Sequence, residues 1–102
     1  MSQWIKVGRD DEIAEGHARV VVADGQRIAL ARVEGKLFAM EDRCSHDGGP
    51  LGEGELFGPL LECPRHGARF DVKTGQPVTL PAVLPVKTFP VQVKDGDVLV
   101  EI

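Results

Sequence analysis

A chain of 102 residues holds a single core, and 42% hydrophobic against 27% charged residues is the balance of a globular domain rather than of a disordered chain. A formal net charge of -4 argues against a nucleic-acid or anionic-membrane surface, and no apolar run has the length of a membrane span or a secretory leader. The expected location is therefore the cytoplasm, where two cysteines read as metal ligands before they read as a disulfide.

Short β-prone runs punctuated by Gly and Asp fill most of the chain. Gln3 to Val7 predicts a first strand, and the acidic stretch Asp10 to Gly16 predicts a loop or at most one helical turn. Ala18 to Ala23, with Val20, Val21 and Val22, reads as a strand ending at Asp24-Gly25, a pair suited to the positive φ of a two-residue hairpin turn. Arg27 to Val33 returns as its partner, Glu34-Gly35 turns again, and Lys36 to Glu41 completes an antiparallel meander.

From Asp42 onward glycine and proline crowd the sequence. Glu55 to Phe57 and Leu60 to Glu62 predict short strands around Gly58-Pro59, and Arg69 to Val72 resumes extended structure before Lys73-Thr74-Gly75. Pro77, Pro81, Pro85 and Pro90 predict an edge or a connecting segment, since proline cannot donate to a ladder; a stiff flap beside a metal site is the functional alternative. Val86 to Val93 reads as one strand, Asp95-Gly96 as a turn, and Val98 to Ile102 as a closing strand with alternate residues buried. With no sustained helical period, the fold class is all-β, a small antiparallel sandwich or barrel spanning residues 1–102 as one domain.

Chemistry concentrates in two places, Cys44-Ser45-His46 and Cys63-Pro64-Arg65-His66. Each supplies one thiolate and one imidazole, in the same order, from Gly/Pro-rich surroundings. Such a donor set can bind zinc tetrahedrally, or a 2Fe-2S cluster with Cys44 and Cys63 on one iron and His46 and His66 on the other. Common zinc modules pair Cys with Cys and His with His, so the mirrored Cys/His order favours the binuclear cluster. Two ordinary cysteines beside two surface histidines are the bland alternative.

These motifs resemble those of the Rieske iron–sulfur proteins, and the similarity runs on through His66-Gly67, Phe70-Asp71 and Thr74-Gly75 to the proline-rich segment near Pro81. The resemblance implies an antiparallel β-sandwich with one Rieske 2Fe-2S cluster at a two-loop tip, ligated by Cys44, His46, Cys63 and His66. It implies a cluster-binding subdomain of about residues 43–85 inserted in a basal sheet. It also places the histidine-ligated iron nearest solvent.

Departures from the family pattern carry information. Members from respiratory and photosynthetic cytochrome complexes have a disulfide between cysteines at the positions of Gly49 and Arg65, and hydroxyl donors to the cluster at those of Ala68 and Phe70. Without those donors the reduced cluster is less stabilised, so the expected midpoint lies near the low end of the Rieske range, on the order of -150 mV. A redox titration giving a clearly positive midpoint at neutral pH would contradict this. With His46 and His66 as ligands, the midpoint is expected to be flat near neutrality and to fall only in alkali; a steep slope already at about pH 6–7 would count against it.

An oxygenase catalytic subunit also needs a mononuclear iron held by two histidines and a carboxylate, and only His17 remains, read as a surface residue. Gly52-x-Gly54 lacks the third glycine and the strand–helix context of a dinucleotide fingerprint. The expected role is thus not an enzyme but a monomeric one-electron carrier. By resemblance it would pass electrons from an NAD(P)H-dependent flavoprotein reductase to the terminal oxygenase of an aromatic-ring dioxygenase, through transient contacts. Asp47, Glu53, Glu55 and Glu62 form either an acidic docking rim or solvated loop charge. A small Rieske subunit of another oxidoreductase, such as a nitrite reductase, stays open, as does a zinc-stabilised binding module.

Overall fold

The computed structural model describes residues 3–43, 51–64, 67–78 and 84–102. Within them lie β1 (Trp4–Arg9), β2 (Ala18–Ala23), β3 (Gln26–Val33), β4 (Lys36–Glu41), β5 (Leu56–Phe57), β6 (Leu60–Glu62), β7 (Arg69–Asp71), β8 (Thr88–Phe89), β9 (Val91–Lys94) and β10 (Asp97–Glu101), with one 3-10 turn at Asp10–Glu12. All the pairings are antiparallel. Hairpins β2–β3, β3–β4 and β9–β10 turn on Asp24-Gly25, Glu34-Gly35 and Asp95-Gly96, where φ is 52 and 79, 53 and 79, and 54 and 81. Two consecutive left-handed residues match the twist of the flanking strands, and this explains the Asp-Gly and Glu-Gly pairs.

The strands form three sheets, ordered β2-β3-β4-β8, β1-β10-β9 and β5-β6-β7. The four-stranded sheet is the middle layer. Successive side chains of a strand point to opposite faces, and in β3 Ile28 and Leu30 face one core while Ala29, Ala31 and Val33 face another. The first core joins Ile28 and Leu30 to Val98 and Val100 of the β1-β10-β9 sheet, with Phe89 and Ile13. The second joins the alanine face to Leu51, Leu61, Cys63, Phe70 and Val72. Alanine at positions 29 and 31 leaves room for the fully buried Phe70 and Met40, so a second layer can pack there.

The expectation of one strand from Val86 to Val93 is corrected by the structure. Pro90 has no N–H to continue a ladder. The chain changes sheets there: Thr88 and Phe89 pair with Met40 and Ala39 of β4, whereas Val91 begins β9 and pairs with Val100.

At the far edge, the Asp97 carboxylate accepts a 2.8 Å bond from Arg9 and lies 3.3 Å from Lys6. The hydrogen bond from Arg9, then that from Lys6, holds the Asp97 carboxyl below the usual carboxylate range. A depressed folded-state pKa contributes stability that is present above the unfolded carboxyl value, about 4, and is lost as pH falls through the folded value. Asp97→Asn is expected to lower Tm slightly at pH 6 and not at all at pH 2, with the difference shrinking in high salt. Thermal melts across that range check it; an Asp97→Asn difference that persists at pH 2 would contradict it.

Candidate metal centre

Of the four ligands expected from the sequence, Cys63 lies within the described residues; Cys44, His46 and His66 lie outside them. So do Gly49, Arg65 and Pro81. Cys63 directly follows β6, and the chain reverses before β7 begins at Arg69. The Cys63 N–H donates to the Ala68 carbonyl at 2.6 Å, and the Gly67 N–H donates to the Cys63 carbonyl at 3.0 Å. Gly67 takes φ of 74 in that reversal, which a side chain would disfavour. Both main-chain groups of Cys63 are thereby engaged, and its thiol is left as the remaining donor.

The thiol is free of any disulfide and sits at 0% exposure among Leu51, Leu61, Ala68 and Phe70. A bare thiolate in that dry setting would be costly; bonded to a soft metal centre it is stabilised. The chemistry of Cys63, the one expected ligand among the described residues, therefore fits an iron–sulfur group. Among the described residues no set of three or more His, Cys, Asp or Glu side chains could hold a metal ion. His17 is exposed, as expected.

Close backbone contacts bring the surrounding segments together. A Cβ on Gly54 would lie 1.7 Å from the Glu62 carbonyl oxygen, so the chain leaving the first motif packs directly on the residue before Cys63. The Glu62 N–H donates to the Glu55 carbonyl at 2.9 Å. On the other side, a Cβ on Gly75 would lie 2.0 Å from the Val86 carbonyl oxygen, and the Val86 N–H donates to the Gly75 carbonyl at 2.8 Å. That contact seats the far end of the proline-rich segment beside β7. Glu53, Glu55 and Glu62 share a cleft of about 360 Å³ with Gly54, Cys63 and Gly67. Three of the four acidic positions read as a docking rim or as solvated loop charge thus line one cleft with Cys63; Asp47 is outside the described residues.

Sequence reasoning missed two contributors. Gly54 reads in the sequence as one of the glycines crowding the first motif and as part of a failed nucleotide fingerprint, although its value lies in having no side chain against Glu62. Asp42 drew no notice, yet it is the one buried charged residue among those described. An acid two residues ahead of a Cys-x-His motif, with a glycine ten residues on, is the signal that was available.

The chain belongs to the Rieske family: residues 3–90 match the family model of the Rieske [2Fe-2S] domain. Its cofactor is a Rieske 2Fe-2S cluster, and it is an electron-transfer protein rather than a catalyst. It is 34% identical over 100 residues to the ferredoxin component of the naphthalene 1,2-dioxygenase system of Pseudomonas putida, covering 98% of this chain and 96% of that one. The fold matches the ferredoxin of carbazole 1,9a-dioxygenase from Nocardioides aromaticivorans IC177 with a TM-score of 0.91, at 33% identity over 96% of each chain. A chain in the solved complex of reduced oxygenase and oxidized ferredoxin in carbazole 1,9a-dioxygenase is matched with a TM-score of 0.89, at 40% identity over 95% of this chain and 91% of that one.

Ala68 and Phe70, where cytochrome-complex members carry hydroxyl donors, are both at 0% exposure beside Cys63. A hydroxyl added there would have no water to satisfy it. Ala68→Ser is expected to raise the midpoint potential, because a hydrogen bond to the cluster strengthens as its acceptor gains negative charge. A higher midpoint in a redox titration is the expected result. An unchanged or lower midpoint would contradict it.

Proposed function

We propose that this protein is a soluble, monomeric, cytoplasmic one-electron carrier in which Cys44, His46, Cys63 and His66 hold the 2Fe-2S cluster. In this reading residues 43–85 form the cluster-binding part and the paired sheets form its base. The cluster, when bound, takes up and gives back one electron. The chain's own contribution is to hold the Cys63 thiol in a dry wall, to bring the two motifs together through Gly54 on Glu62, and to present Glu53, Glu55 and Glu62 where a basic partner surface could meet them.

The electron comes from an NAD(P)H-dependent flavoprotein reductase and goes to the terminal oxygenase of an aromatic-ring dioxygenase. One observation carries this assignment above the others: 98% of this chain aligns with 96% of the ferredoxin component of such a system. Reconstitution tests it. The purified protein is expected to be reduced by NADH or NADPH only when a flavoprotein reductase of a ring-dioxygenase system is added, and then to reoxidise on mixing with oxidised oxygenase. A reduced protein that keeps its electron in the presence of such oxygenases, but passes it to a nitrite reductase, would overturn the reading.

A further inference from the structure

The Asp42 side chain has no exposure to solvent, and each of its two oxygens has defined partners. Oδ1 accepts the Leu51 N–H at 2.8 Å and the Gly52 N–H at 2.6 Å. Oδ2 accepts from Arg27 Nε at 3.0 Å and lies 2.9 Å from Arg27 Nη2, so two guanidinium nitrogens converge on this one oxygen. The Asp42 N–H also donates to the Arg27 carbonyl at 3.1 Å. Arg27 itself is largely exposed, so its stem and backbone fix the carboxylate from the solvent side.

None of the carboxylate's bonds is needed to hold β4 in its sheet. That strand is already paired along β3, through Glu41 with Ile28, and along β8. What the side chain adds is a tie between residue 42 and residues 51 and 52, the two ends of the segment that contains Cys44 and His46. Gly52 is adapted to the tie: a Cβ there would lie 2.6 Å from Val20 Cγ2 and 3.2 Å from both Ala29 Cβ and Asp42 Oδ1. Two donors and one charged acceptor in a water-free setting make a strong fastening, and a segment fixed at both ends loses less freedom when its side chains bind a ligand.

We propose that Asp42 is a positioning residue that fastens the base of the first ligand segment, with Arg27 fixing its carboxylate, and that this fastening governs how tightly the cluster is retained. The inference rests on the reading above that Cys44 and His46 are ligands. Its structural part, the fastening itself, does not.

Hydrogen exchange read by mass spectrometry, with chelator-driven loss of the visible chromophore, tests it on the purified full chain. Asp42→Ala is expected to speed exchange at least tenfold over peptides spanning Leu51 and Gly52, to leave β10 unchanged, and to speed cluster loss at least tenfold. Asp42→Asn, whose amide oxygen still accepts the two N–H groups but whose NH2 then faces the Arg27 guanidinium, is expected to fall between wild type and Asp42→Ala in both readouts. Wild-type exchange at Leu51 and Gly52 in Asp42→Ala, or an equal rise in β10, would each overturn the fastening. Faster exchange with wild-type cluster loss would overturn its link to retention. A wild-type protein without a 2Fe-2S cluster would instead defeat the ligand reading and the retention claim together, while the exchange result still decides the fastening.

Discussion

Cys63→Ser is expected to yield a folded but colourless protein. The substitution changes one atom of a buried core that also holds Leu51, Leu61, Ala68 and Phe70 and extends to Val33 and Val86. The backbone bonds of residue 63 to Ala68 and Gly67 do not involve the sulfur. A hydroxyl buried without a partner costs about 1–3 kcal/mol, a loss that a domain of this size tolerates. Iron, by contrast, loses a soft thiolate and gains a hard oxygen that must give up its proton to bind. Iron and sulfide analysis, with far-UV circular dichroism as the control for folding, checks the prediction. A full cluster complement in Cys63→Ser would refute the ligand assignment.

Gly54→Ala is expected to be among the most damaging single-methyl additions in the described residues. Its Cβ would meet the Glu62 carbonyl oxygen at 1.7 Å and carbon at 2.9 Å, with the Leu51 oxygen at 3.3 Å. All three atoms are backbone, so no rotamer change relieves the clash; either β6 or the chain leaving the first motif must move. Overpacking of this kind costs typically 1–3 kcal/mol, and a contact this short with immobile atoms belongs at or above about 3 kcal/mol. Displacement of Glu62 also displaces Cys63, so cluster content is expected to fall with stability. Gly58→Ala is the control. Gly58 has φ of 59, and a methyl group added there would meet nothing within 4 Å, so it bears only left-handed strain of about 1–2 kcal/mol. Denaturant unfolding and visible absorbance of the two variants separate these outcomes; equal losses would contradict the packing argument.

How far the sequence revealed this molecule depends on whether a feature is local. The hairpins at Asp24-Gly25, Glu34-Gly35 and Asp95-Gly96 were legible because positive φ at both central residues restricts the choice to such pairs. The split of Val86 to Val93 at Pro90 was not, because a proline at a sheet edge and a proline at a change of sheet look alike in one dimension. The three-layer arrangement was also hidden. Ile28, Ala29, Leu30 and Ala31 are apolar on both faces, which erases the alternation that would separate an outer sheet from a middle one. At the site, the Cys and His spacing points to a donor chemistry, and of the four residues only Cys63, which is buried, lies within those described. Asp42 and Gly54 stayed silent because their partners, Arg27, Leu51, Gly52 and Glu62, are set by folding rather than by any motif.

The most direct measurement is electron-spin resonance of the dithionite-reduced protein, taken with metal and sulfide analysis. A red-brown protein with two irons and two sulfides per chain, giving on reduction a signal of low average g, is the result expected of a Rieske cluster with two histidine ligands. A colourless protein with stoichiometric zinc and no signal on reduction would contradict it.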